Sequence, residues 1–186
     1  MKKRYIAVIG ILLLYFLAKM KLSNSIAEKD AVNTNQVSLN LNEKDFNVLV
    51  YSQAKEWVHE DAILGAKEML TQLSQQNDWN LTISDEALIY NFKQLALFDV
   101  VVWNNVTGNT LNPKQRLAFK NYLENGGGFV GLHGSGDSSS SWDWYYDEVI
   151  RARFSHHPMV PQFQVGTLNK ECPENFPECK ELPIRW

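Results

Sequence analysis

Four histidines, His59, His133, His156 and His157, hold most of the capacity for proton transfer in this chain of 186 residues. An imidazole titrates near neutrality and exchanges protons with oxygen, so each is a candidate acid, base or metal ligand. Two of them follow apolar runs that end in polar and aromatic clusters. The first run leads to Trp57, His59, Glu60 and Asp61, and the last to His133, Ser135 and Asp137. A middle run ends in Trp103, Asn104, Asn105 and Thr107. His133 precedes Gly134, so its ring projects from a tight strand-to-loop turn. Structural readings stay open beside these. Glu60 and Asp61 also suit a helix start, where carboxylates complement the dipole, and Asn104 and Asn105 are also common turn formers. His156 and His157 precede Pro158 and read as a loop, because adjacent side chains seldom point at one ion. Spacing alone assembles no shared metal site from these histidines, and a divalent metal stays open as a cofactor.

A second constellation, WDWYYDEVI from Trp142, mixes Trp142 and Trp144 with Asp143, Asp147 and Glu148. Aromatic faces beside carboxylates suit sugar rings, which offer C–H faces and hydroxyl rims. The same residues also read as an amphipathic helix packed on a sheet.

These groups need a scaffold, and hydrophobic patterning supplies one. Phe46 to Ser52 reads as a strand buried on both faces. Ala62, Ile63, Ala66, Met69, Leu70 and Leu73 recur at helical spacing and form one helix face. Leu81 to Ser84 reads as a weaker strand, Asn91 to Leu97 as a short helix or turn, and Val100 to Trp103 as a buried strand. Asn112 and Pro113 open a helix that ends at Asn125 and Gly126, with Leu117, Phe119, Tyr122 and Leu123 as its buried stripe. Phe129 to Leu132 is the next strand. Strands separated by helices imply right-handed crossovers and a parallel sheet flanked by helices, an α/β fold. In such a sheet the ligand crevice lies at the carboxyl ends of the strands, which is where all three polar clusters fall.

Composition narrows the partners. A formal charge of -3 provides no basic face for a phosphate backbone, so nucleic acid is excluded as a partner. Lys2, Lys3 and Arg4 before the apolar run from Tyr5 to Ala18 have the order of a secretory signal, with Ser25 and Ala27 near a cleavage point. Residues 1–27 are therefore expected to direct export to the periplasm or outside, or to remain as an uncleaved membrane anchor. Membrane contact is expected only through that segment. Residues 28–44 are polar and read as a linker, with the folded domain over 45–186. Cys172 and Cys179 lie in a Pro-rich and Glu-rich tail, where they either close a small loop or stay unpaired.

WVHEDAI from Trp57, WNNVTG from Trp103, LNPKQRLAFKNYLENGGGFVGLHGSGD from Leu111 and WDWYYDEVIRARFSHHP from Trp142 together resemble the ThuA-like, trehalose-utilisation family. The resemblance implies a flavodoxin-like fold of the class I glutamine amidotransferase type. His133 stands where those amidotransferases carry their nucleophilic cysteine, so glutaminase chemistry is not implied. It also implies a small carbohydrate, a disaccharide or keto-sugar, as the partner. His133, His59 and Asp137 are the implied catalytic residues. Asn105 and His157 are the further site positions that the resemblance implies, and Trp57, Trp103, Asn104, Trp142 and Trp144, from the clusters above, complete the expected substrate-binding set. Family members usually continue beyond the segment aligned with Leu182 to Trp186, so the resemblance implies an incomplete C-terminal part. A sugar-modifying enzyme, a non-catalytic carbohydrate-binding module and an inactive remnant are the three readings carried forward.

Overall fold

A computed structural model describes residues 37, 39, 41, 46–137, 142–158, 160, 161, 165 and 166. Most of the proposed signal and linker, the serines Ser138 to Ser141, and both cysteines lie outside the described residues. The chain divides into two units, Met1–Arg153 and Phe154–Trp186.

The first unit holds four short parallel strands, β1 (Asn47–Tyr51), β2 (Asn80–Ser84), β3 (Val100–Asn104) and β4 (Gly128–Leu132). They are ordered β2-β1-β3-β4. β1 sits against β2 through Val50 opposite Ile83 and against β3 through Val50 opposite Val102; β3 meets β4 through Val102 opposite Val130. Helix α1 (Glu60–Asn77) links β1 to β2, a 3-10 turn (Ala87–Ile89) and the short α2 (Phe92–Leu95) link β2 to β3, and α3 (Pro113–Glu124) links β3 to β4. A 3-10 turn (His133–Asp137) and a π-helical segment (Tyr145–Ile150) follow β4. The expected parallel α/β architecture is what forms.

Alternation along the central strands divides the core into two layers. On one face Leu49, Tyr51, Val101 and Trp103 pack with Tyr90, Phe119, Tyr122 and Tyr145. On the other, Val48, Val50 and Val102 meet Leu70 of α1 in a smaller aliphatic layer. The helix stripe expected for α1 is only partly realised: Leu70 is buried, whereas Met69 is 46% exposed. Val37, Leu39 and Leu41, within the expected linker, alternate against the aromatic layer, and the Val37 carbonyl accepts from Gln94 Nε2 at 2.6 Å.

The start of α3 follows directly from its sequence. Asn112 accepts from the backbone N–H groups of Lys114 and Gln115, Gln115 reaches back to the Asn112 N–H, and Pro113 presets the first turn. Past its end Gly126 takes φ 91, a left-handed conformation suited to glycine. The expected stripe needs one correction. Leu117 is 52% exposed and Ala118 is buried with Phe119 and Tyr122, because the helix turns the side of Ala118 and Tyr122, one turn apart, to the core and Leu117 falls beside it.

β4 also differs from the buried strand that its apolar residues suggest. It is an edge strand among the described residues, and Val130 is 44% exposed. Gly128 starts it for steric reasons: a Cβ there would stand 2.8 Å from Val100 Cγ2 and 3.0 Å from the Asp99 carbonyl oxygen.

In the second unit, the Phe154 and His157 rings lie 5.9 Å apart. His156 Nδ1 is 3.1 Å from Ser155 Oγ, and His157 Nδ1 is 3.3 Å from the Pro158 carbonyl oxygen. Both histidines are exposed. They sit in a chain segment without helix or strand, as the loop reading has it.

Candidate functional site

Three loops meet at the carboxyl edge of the sheet. The segment after β1 is zipped onto the one after β3: Ala54 bridges Thr107, Lys55 N–H donates to the Thr107 carbonyl at 2.9 Å, and Thr107 Oγ1 donates to the Trp57 carbonyl at 2.9 Å. This zipper carries His59 toward the centre of the sheet. His133, the first residue after β4, lies beside it, with ring centroids 4.5 Å apart and planes at 70°.

Gly134 sits where these loops meet. A Cβ on it would stand 3.0 Å from Thr107 Cγ2, 3.5 Å from Asn105 Cα and 3.5 Å from His59 Cδ2. All three loops therefore converge on one hydrogen-sized gap. His59, Asn105 and His133, derived from three separate stretches of sequence, come together here.

Backbone strain marks the same place. Asn105 has φ 56 and His133 has φ 42, both left-handed and neither glycine, at the ends of the two neighbouring strands. Such conformations cost on the order of 1–3 kcal/mol and persist where surrounding contacts over-determine them. Those contacts centre on Ser135, which is fully buried. Its Oγ donates to the Trp103 carbonyl at 2.8 Å and accepts from Val106 N–H at 3.3 Å, while its own carbonyl accepts from Tyr145 Oη at 2.8 Å. Tyr145 carries no signal that sequence inspection singles out beyond its place in the aromatic run; its role needs the packed structure.

The tryptophans separate into different environments. Trp57 is 69% exposed on the loop that carries His59. Trp103 is a correction to the expected binding set. It is 2% exposed, stacks on Phe119 and Tyr145, and donates its indole N–H to Tyr90 Oη at 2.7 Å, so no ring face reaches a ligand. Trp142 stacks on Tyr145 with the Arg116 guanidinium 5.1 Å from its ring, and Trp144 has Lys120 Nζ 5.2 Å away. Both therefore pack along α3, the amphipathic-segment reading of this stretch.

Asp137 closes the turn that begins with His133. Near it is Tyr146, a residue absent from the expected set. Burial first, then the nearby Asp137 carboxylate, raises the Tyr146 phenol above its ordinary range, while Arg153 opposes the rise. Arg153 is itself held by Asp147 at 2.8 Å and Asp143 at 3.1 Å. Among the described residues no group of three or more His, Cys, Asp or Glu side chains is placed to hold a metal ion. No helix among the described residues is long and apolar enough to cross a membrane.

A crystal structure of a ThuA-like protein from Bacteroides uniformis is 24% identical with a TM-score of 0.47, the match covering 60% of this chain and 46% of that one. This chain thus spans less than half the length of that protein. No curated protein matches it. The family model for ThuA, trehalose utilisation, matches residues 47–186, which include every strand and helix described above. The chain belongs to the ThuA family and is a carbohydrate-utilisation-related domain.

Proposed function

We propose that the carboxyl edge of the sheet is a sugar-modifying centre, acting on a disaccharide or keto-sugar by hydrolase, lyase or isomerase chemistry. The observation that carries this reading is the edge-to-face pair of His59 and His133 at 4.5 Å. Two imidazoles so placed can share a substrate oxygen or its proton between them. His133, on the strained turn, is the general acid or base; His59 assists, and Asp137 is the third catalytic group.

Charge favours a neutral ligand. The first turn of α1 beside His59 carries Glu60 and Asp61, which already complement the helix dipole and repel an incoming phosphate or carboxylate. Trp57, exposed on the same loop, offers a ring face to the C–H face of a sugar. Trp142 and Trp144 lie at the aromatic margin of the proposed binding set. Residues 1–27 are proposed to export the protein or anchor it. N-terminal sequencing of protein recovered from the periplasm or medium tests that directly.

The decisive experiment incubates the purified chain, and its His133→Gln variant, with trehalose and its keto derivatives and follows products by chromatography. Turnover by the wild type and its loss in the variant is the expected result. Equal turnover removes His133 from the mechanism. Binding that persists in both without turnover favours a carbohydrate-binding module, a reading that the exposure of Trp57 supports.

A further inference from the structure

Asn104 and Asn105 end β3 as a pair of side-chain amides whose orientations are mutually fixed. Asn104 is fully buried, and its Nδ2 donates to the Ile63 carbonyl at 3.0 Å and to Ser52 Oγ at 3.1 Å. A backbone carbonyl only accepts, so the NH2 end of Asn104 must face Ile63 and its Oδ1 must face Asn105. Asn105 Nδ2 meets that oxygen at 2.9 Å. Turning over either amide alone would set two acceptors, or two donors, against each other.

One atom is left over. Asn105 Oδ1 is buried and has no hydrogen-bond donor among the described residues, on a residue only 2% exposed. A buried acceptor left without a donor is expensive, and native proteins keep few of them. This one belongs to a residue in left-handed conformation, with its Cα against the Gly134 gap that His59 also borders. Strain and an unsatisfied acceptor therefore coincide at the residue next to the imidazole pair.

We propose that Asn105 Oδ1 is a ligand subsite that accepts a hydrogen bond from a hydroxyl group, with Asn104 as the positioning residue that commits the Asn105 NH2 group and leaves that oxygen as the free acceptor. This rests on the sugar reading above and refines it: at this position the ligand offers an O–H, and a carbonyl is rejected because two acceptors would face each other. A keto group on the same ligand has to lie elsewhere, toward the imidazoles.

Crystals of the full chain, grown without sugar and then soaked with trehalose, test the assignment. A water in the first and a sugar hydroxyl in the second, each about 2.7–3.0 Å from Oδ1, are the expected results. An Asn105 amide turned over so that Oδ1 faces Asn104, or an Oδ1 with no donor in either crystal, overturns the proposal. A water at Oδ1 in crystals that never take up trehalose refutes the sugar reading and leaves the acceptor assignment standing. Binding measurements supply a second arm. In the wild type, one monodeoxy analogue of trehalose should bind about tenfold more weakly than trehalose itself. Asn105→Ala should abolish that difference, and so should Asn104→Leu, which frees the neighbouring amide to rotate. A deoxy penalty that survives in both folded variants overturns the role of the pair.

Discussion

His59 and His133 meet edge to face at 4.5 Å although they enter from opposite sides of β3, one on the loop after β1 and the other on the turn after β4. Neither strand touches the other in the sheet. Their contact is made above β3, so it depends on how the β3 loop is shaped between them.

The left-handed backbone of His133 makes its replacement informative in two directions. His133→Gly relieves a φ of 42 and should raise stability by about 1 kcal/mol in chemical denaturation, while removing the proposed acid-base group. Sugar turnover should fall by at least about a hundredfold. A variant that is destabilised would show that the turn is not strained.

Gly134→Ala should disturb the site more than the fold. Its new Cβ would press on Thr107 Cγ2 at 3.0 Å and lie in ordinary contact with His59 at 3.5 Å. The expected outcome is a modest fall in melting temperature with a clear change in the ring-proton NMR shifts of both histidines. Unchanged shifts would mean that the gap is wider than described.

Trp57 and Trp103 should respond oppositely to removal. Trp103→Ala empties the aromatic layer and strands Tyr90 Oη without its donor, a loss of about 3–5 kcal/mol. Trp57→Ala, at a side chain 69% exposed, should leave the melting temperature within about a degree and weaken sugar binding. Tight binding by Trp57→Ala would remove that ring from the site.

Stability should fall in alkali. Burial pushes the Tyr51 phenol up to about 12, and burial with the nearby Asp99 carboxylate does the same for Tyr122. Below about pH 10 both the folded and unfolded chains keep these protons, and stability is insensitive to pH through them. Between about pH 10 and 12 the unfolded chain releases them while the folded chain holds them, so unfolding gains. Denaturation midpoints should hold to about pH 9 and decline above 10, with a shallower decline in Tyr51→Phe. An unchanged slope in that variant would place the effect elsewhere.

The parts of this molecule legible in the sequence are those governed by local rules. Asn112, Pro113 and Gly126 delimit α3 because capping and turn chemistry act within a few residues. The meeting of His59 with His133 was also legible, since parallel topology sends both strand ends to one edge. Phase and depth were not. Leu117 and Ala118 are equally acceptable on a helix face until packing fixes which side of α3 is turned to the core. Trp103 reads as a rim residue from its position at the end of an apolar run, yet its side of the pleat places it under Tyr145. The commitment of the Asn105 NH2 group depends on the Ile63 carbonyl, a partner brought near only by the folding of α1 against β3.

The two layers of the core are unequal, and the imidazole pair spans the difference. His133 is tied through Ser135 and Tyr145 into the layer of interlocked rings, whereas His59 heads a helix whose buried anchor is little more than Leu70 on a few valines. Amide hydrogens of α1 should therefore exchange ahead of those in α3, and an occupied crevice that bridges both histidines would slow α1 selectively. Deuterium uptake along that one helix thus reports ligand capture without any knowledge of the reaction.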